Sequence, residues 1–451
     1  MNTEYQKSLL SLVLTVGVLF LAAQPAVGQE AGEIRKMSLQ EVLTITQNDN
    51  FRIRMAESDV NKVRSQYRQT NATFLPQILL EETGTYTNDP LNVFGLKLKQ
   101  EVVTQADFNP ALLNAPDPYE NFTTKLSVQQ PLINSDMLFK RSAVRDQLEA
   151  ARKQLQGTIE HARFQVKDTY YRLMLMQNRL SVIEKSLTMA KENRRQAANY
   201  YEQNMISKAD YLAAKVRVLE LESKQSRTSN QLQNVQDNLR YLLGIKEEVT
   251  ILPTDSLEVK PVSTENIDPQ QVTNSKLQAL QYRLSSARQM LRSSKFNFVP
   301  SLNLFGSYEF NDDNLFGTQG ESFMVGATLK WNLFSGFSKV GKVMESRADL
   351  KKAELAYESQ RFKNEMEVKQ ARRSLQQAQK QLNFAKSSVE QAREDFRIRK
   401  NRYNQGLEKT TDLLAAETKL AQTRAQRLNA MYQYNLSIAT LELLLEQEIA
   451  Y

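Results

Sequence analysis

The chain has 451 residues and none is cysteine, which excludes disulfides, thiolate metal sites, a cysteine nucleophile and the thiol an amino-terminal lipid anchor needs. Histidine occurs once, at His161, which removes most histidine-based catalysis. No metal-ligand cluster, Gly-rich phosphate loop or nucleophile elbow is present either, so neither an enzyme nor a cofactor is expected. No basic block with interleaved aromatics accompanies the net charge of +8, and nucleic acid is not an expected partner. Beyond the first residues no run of 18 apolar positions occurs, so no transmembrane helix is encoded.

The start of the chain has its own pattern. Lys7 precedes LLSLVLTVGVLFLAA, and Ala26, Val27 and Gly28 follow, which is the pattern of a secretory signal peptide over 1–28. The protein is therefore expected to be exported.

Proline and glycine are missing over two long stretches. Between Pro131 and Pro253 only Gly157 and Gly244 interrupt, and after Gly341 only Gly406 does. Both stretches are rich in good helix formers. Leu155, Ile159, Ala162, Val166, Thr169, Leu173, Met176, Leu180, Ile183, Leu187 and Ala190 follow one another at alternating steps of four and three, a heptad seam. The pattern predicts long helices over 134–202 and 335–402, each roughly 100 Å at 1.5 Å per residue. Shorter helices are predicted over 208–245 and 409–447, and others over 38–71 and 270–297.

The stretches NYYEQNMISKADYLAA (199–214) and NRYNQGLEKTTDLLAA (401–416) agree at seven of sixteen positions. Each ends a long helix and starts an antiparallel return. Asn204 and Gly406 stand at the corners, as residues tolerant of the left-handed conformation. Asp210 and Asp412 fall in the first turn of the returning helix, where the dipole favours a carboxylate. These are the tips of two helical hairpins, at 203–208 and 403–409.

Four segments, 77–88, 121–129, 301–311 and 323–332, alternate apolar with small or polar residues and have the length of a tilted membrane strand. Asn297-Phe-Val-Pro echoes Thr73-Phe-Leu-Pro, and TLKWNLFSG (328–336) echoes SVQQPLINS (127–135). The chain thus reads as a two-fold internal repeat, 29–245 and 270–451, joined by a linker or equatorial segment at 246–269. Four strands cannot close a barrel and open edges are forbidden in lipid, so several chains must share one.

The signal peptide, the duplicated helix–strand–strand–helix plan and tips of the form Y-x-x-G-x-x-x-x-x-D-L-L resemble the TolC-type outer-membrane efflux proteins over essentially the whole mature chain. The resemblance implies a mixed membrane α/β fold. In it, four strands per chain contribute to a shared barrel, twelve strands in a homotrimer, continued by an α-helical coiled-coil barrel. It implies residence in the outer membrane, spanning into the periplasm, with a periplasmic adaptor and an inner-membrane transporter as partners. The role implied is a passive duct for efflux or type I secretion. It further implies a periplasmic gate that joins an aromatic hydroxyl and an arginine on the second tip to an aspartate on the first, below rings of aspartate. The matching residues are Tyr403, Asp210 and Asp412, whereas Glu408 stands at the arginine position and Ala415 at the second ring position. Lys208 and Lys409 are the candidate replacement cations. Tyr201, Asn204, Gln405 and Gly406 form the hairpin turns expected to dock the adaptor. The competing reading is a periplasmic coiled-coil adaptor or scaffold without a barrel.

Overall fold

The computed structural model describes residues 33–259, 262, 268–269 and 272–449; the expected signal peptide lies outside them. The chain opens with β1 (Ile34–Met37), α1 (Leu39–Asp49) and α2 (Phe51–Gln69). The single helix expected over 38–71 is thus two. Asn50 between them is extended, and its Oδ1 accepts the N–H groups of Arg52 and Ile53 to cap α2. Its Nδ2 donates 2.7 Å to the Leu242 carbonyl, so the break also docks both helices onto a distant element.

The long helices are α5 (Ser135–Glu202, 68 residues) and α8 (Ser338–Asn404, 67 residues). They pair with α6 (Lys208–Leu243) and α9 (Thr410–Leu445), each of 36 residues. All eleven heptad positions of α5 are buried or half-buried, and Tyr170, Met174 and Leu175 are buried beside them, so α5 is covered on more than one side. The helix expected over 270–297 is α7 (Ser275–Phe296), delayed because Asn274 caps it by accepting from Leu277 N. α2 and α7 pack on α5 where α6 no longer reaches. His161 is exposed on α5, and partial burial together with the Arg52 charge lowers its pKa.

A feature absent from the sequence reading lies at the waist. β1 pairs in parallel with β4 (Thr250–Pro253), which falls inside the 246–269 segment, in the register Ile34↔Thr250 to Met37↔Pro253. Val42, Leu43, Val166, Leu173, Leu239, Leu243 and Ile251 form the core there. The buried Tyr170 hydroxyl lies 2.9 Å from the Met37 carbonyl and 2.7 Å from an Asp255 carboxylate oxygen, stitching α5 to the small sheet.

At the far end β2 (Gln77–Thr87), β3 (Tyr119–Ile133), β5 (Ser301–Asp312) and β6 (Gly320–Lys330) form one antiparallel sheet in the order β2-β3-β5-β6. β3 runs past its expected bounds of 121–129, with a register shift between Pro131 and Ile133, and β6 starts three residues before its expected 323. Register assigns the two faces. Ile78, Leu80, Leu126, Val128, Leu304, Tyr308, Phe323, Val325 and Ala327 fall on one face. Glu81, Thr83, Lys125, Ser127, Ser307, Glu309, Ser322 and Thr328 fall on the other. Phe323 and Val325 are each 78% exposed, as are many apolar neighbours. Exposed Tyr86 and Phe316 mark one end of the sheet, and Trp331, Phe334 and Phe337 the other. Among the described residues β2 and β6 each have one unpaired edge.

The connection from β2 to β3 carries α3 (Pro90–Lys99) and α4 (Pro110–Asn114), and it folds back over the polar face. The buried Gln100 Nε2 donates 2.8 Å to Asn121 Oδ1, and Asn121 Nδ2 reaches Asn311 Oδ1 at 3.2 Å. A Cβ at Gly320 would meet the Lys99 carbonyl oxygen at 2.0 Å, so only glycine lets this backbone lie on β6. Lys97 and Asp107 pair at 2.8 Å, and with the Thr104 hydrogen bonds this holds Asp107 at a pKa of about 2.

Candidate functional site at the hairpin tips

Each tip is built by a left-handed residue that ends a long helix. Asn204 has φ 54° and Gly406 φ 74°. Met205 N donates 2.8 Å to Tyr200 O, and Leu407 N donates 2.9 Å to Arg402 O, closing both C-termini in the same way. The returns differ. Ser207 caps α6, accepting Asp210 N at 3.2 Å while its hydroxyl donates 2.6 Å to Asp210 Oδ2. Lys409 occupies the equivalent position of α9 without a side-chain cap. Tyr201 stacks on Tyr211 with ring centroids 5.7 Å apart, which stiffens the first tip.

Tyr403 is buried, and its hydroxyl accepts from Thr410 Oγ1 at 3.4 Å. Its ring lies 6.2 Å from that of Tyr200, a contact across the two hairpins. Among the described residues the Tyr403 hydroxyl makes no hydrogen bond to Asp210, whose carboxylate is engaged by Ser207. Lys208 and Lys409 are exposed and form no ion pair among the described residues. Asp412 is half-buried in the first turn of α9; the pKa of the Arg399 guanidinium is raised first by Asp395, with the charges of Glu408 and Asp412 adding to it. Gln405 ends α8 beside Gly406.

Two residues missed in the sequence decide the environment of Glu408. Arg399 Nη1 and Arg402 Nε donate to its carboxylate at 2.8 and 2.9 Å, and the Glu408 side chain is only 11% exposed. Glu408 thereby locks the second hairpin to itself across its turn. The spacing of six and nine residues carries no periodic signal, because the contact exists only once Gly406 reverses the chain.

A sequence model of the outer membrane efflux protein family matches residues 42–245 and 268–446. The chain belongs to this family. It is 20% identical over 335 residues to the alkaline protease secretion protein AprF of Pseudomonas aeruginosa, covering 70% of this chain and 68% of that protein. Its fold is similar to that of the CmeC outer membrane channel of Campylobacter jejuni, with a TM-score of 0.78 at 14% identity over 95% of this chain and 91% of that one. It also matches the outer membrane protein VceC of Vibrio cholerae, with a TM-score of 0.74 at 16% identity over 91% and 97% of the two chains. The protein is an outer-membrane duct for efflux or secretion, a passive channel and not an enzyme. A scaffold without a membrane sheet does not fit this family.

Proposed function

We propose that three copies of the chain close their four-stranded sheets into one twelve-stranded barrel, below which the helical hairpins form a tunnel across the periplasm. The observation that carries this reading is the sheet itself, almost wholly apolar along the middle of one face, mainly polar on the other despite Leu79, Phe305 and Met324, and open at both edges among the described residues. In lipid each open edge leaves backbone groups unpaired at several kcal/mol apiece, so the edges must meet those of other copies. The apolar face then meets lipid, and the polar face with Glu81, Lys125 and Glu309 lines the passage. The segment over 89–118 lies on the polar face and therefore inside the outer mouth. The internal repeat supplies the paired hairpins that ring the tunnel.

The tips form the periplasmic gate and the docking surface for a periplasmic adaptor, which couples the duct to an inner-membrane transporter. Tyr403, Asp210 and Asp412 line the entrance, held in shape by Ser207, Thr410 and Glu408. Lys208 and Lys409, exposed and without an ion pair among the described residues, are the cations available to the carboxylates of a neighbouring copy. Tyr201, Asn204, Gln405 and Gly406 shape the surface presented to the adaptor.

In-cell photo-crosslinking from Lys208 or Asn404, read by mass spectrometry, tests the docking role. Recovery of an adaptor supports it, and the pump encoded beside that adaptor then names the cargo class. Cross-links only to other copies of the chain place these residues inside the closed oligomer and overturn the docking surface. Native mass spectrometry of the purified protein is expected to give three times the chain mass, and any other stoichiometry overturns the trimer.

A further inference from the structure

The seams inside each hairpin and the seam between the hairpins have opposite chemistry. Leu187, Ala190, Val218 and Leu221 join α5 to α6, and Val368, Leu375 and Leu382 join α8 to Tyr434, Ile438 and Leu441 of α9. Between the hairpins, α5 meets α9 through a ladder of polar contacts. From the waist downward, Lys167 pairs with Glu442 at 2.7 Å, and Tyr432 donates 2.6 Å to Asp168. Further down, Arg179 reaches Asn429 at 2.6 Å and Asn193 reaches Glu417 at 2.9 Å.

The rung nearest the tips is the least satisfied. Glu417 is 1% exposed and Arg217 of α6 is 6% exposed, yet Glu417 Oε1 and Arg217 Nε stand 3.7 Å apart with no hydrogen-bond partner for either atom. Arg217 spends a donor instead on Glu220 at 3.3 Å. The other buried side-chain atoms without partners among the described residues are Arg179 Nε and Arg427 Nε, on the same pair of helices α5 and α9. Burial is also the largest influence on the Glu417 carboxyl and raises its pKa, against the opposing pull of Arg217, Asn193 and Lys400 of α8. A buried pair with such geometry returns little of the desolvation it costs.

We infer that Glu417, Arg217 and Asn193 form the contact at which the two hairpins part when the entrance opens, a buried pair held short of good geometry so that separation is cheap. Parting hydrates both charges and satisfies the orphaned Glu417 Oε1 and Arg217 Nε, so the ionised pair favours the open arrangement more than an apolar pair would. The rungs at Lys167–Glu442 and Asp168–Tyr432 are well formed and sit beside the apolar waist, so they act as the fulcrum. These are positioning residues for conduction, and the inference rests on the duct reading above.

Single-channel recording of the whole purified assembly in planar bilayers tests it. Glu417→Lys sets two cations face to face and is expected to raise the open probability roughly 5-fold or more, the low end of two-state coupling. The charge swap of Arg217→Glu with Glu417→Arg is expected to return it towards the native value. The apolar pair Arg217→Met with Glu417→Leu should hold the entrance closed more persistently than the native chain. The sign with pH is set by the raised carboxyl: the closed arrangement binds the proton more tightly, so acidification through the Glu417 range favours closure. Glu417→Gln, nearly isosteric, is expected to lose that dependence. An open probability unmoved by Glu417→Lys, a swap that fails to restore it, or identical pH profiles for the native chain and Glu417→Gln would each overturn the inference. A native assembly that forms no pores at all refutes the duct reading, and the inference falls with it.

Discussion

Tyr432 illustrates how single side chains join the two hairpins. Its hydroxyl donates to Asp168 at 2.6 Å and accepts from Arg172 Nε at 2.9 Å. Burial, then the Asp168 bond and charge, push its pKa up to about 12 from an ordinary 10.0. The folded chain therefore holds this proton more tightly than the unfolded chain. Its contribution is complete below pH 10.0 and is lost as pH rises towards 12. Tyr432→Phe is expected to cost about 1–3 kcal/mol at neutral pH, because it leaves Asp168 and Arg172 short of a partner. Thermal unfolding across the alkaline range checks both statements, since the variant should lack this component of the alkaline loss. None of this was legible in the sequence, where Tyr432 is one aromatic in a helical stretch and Asp168 lies 264 residues away.

Among the elements, the two long helices were the most legible. Runs without proline or glycine, carrying a heptad seam, leave the backbone no competing structure. The tips were legible for a related reason: Asn204 and Gly406 are residue types that accept positive φ, and both do so. The Asn50 break was not: its Oδ1 caps α2 locally, but nothing near it in sequence shows that its Nδ2 also bonds Leu242, a contact supplied by packing. β1 and β4 are four residues each and would not be strands alone; their partner across more than 200 residues makes them so. The segment over 89–118 holds four prolines and no helical or strand period, yet folds as a built unit anchored by Gln100. Gln100→Ala leaves buried Asn121 short of a donor and is expected to loosen this unit by about 1–3 kcal/mol. Hydrogen exchange over 90–118 should accelerate accordingly while exchange in α5 stays unchanged.

For the whole molecule, the two-faced sheet is the feature with the largest consequence. Arginine at mid-strand on the lipid side costs about 2–4 kcal/mol, whereas the lumen side tolerates it. Val325→Arg is therefore expected to deplete the protein from outer-membrane fractions, and Ser322→Arg on the opposite face to leave it there. Equal effects of the two substitutions would contradict the assignment of faces.

Sequence alone determined the local structure of this protein: two proline-free helical hairpins, their glycine and asparagine corners, and strands whose period of two separates apolar from polar. These follow from backbone sterics and from hydrophobic patterning between near neighbours. The tertiary structure alone decided which distant groups meet. It set Arg399 and Arg402 on Glu408, Asn50 on Leu242, Gln100 on Asn121 and Glu417 beside Arg217. Such contacts carry no periodic signature, because each depends on a chain reversal or on helix packing that brings remote residues within hydrogen-bond reach.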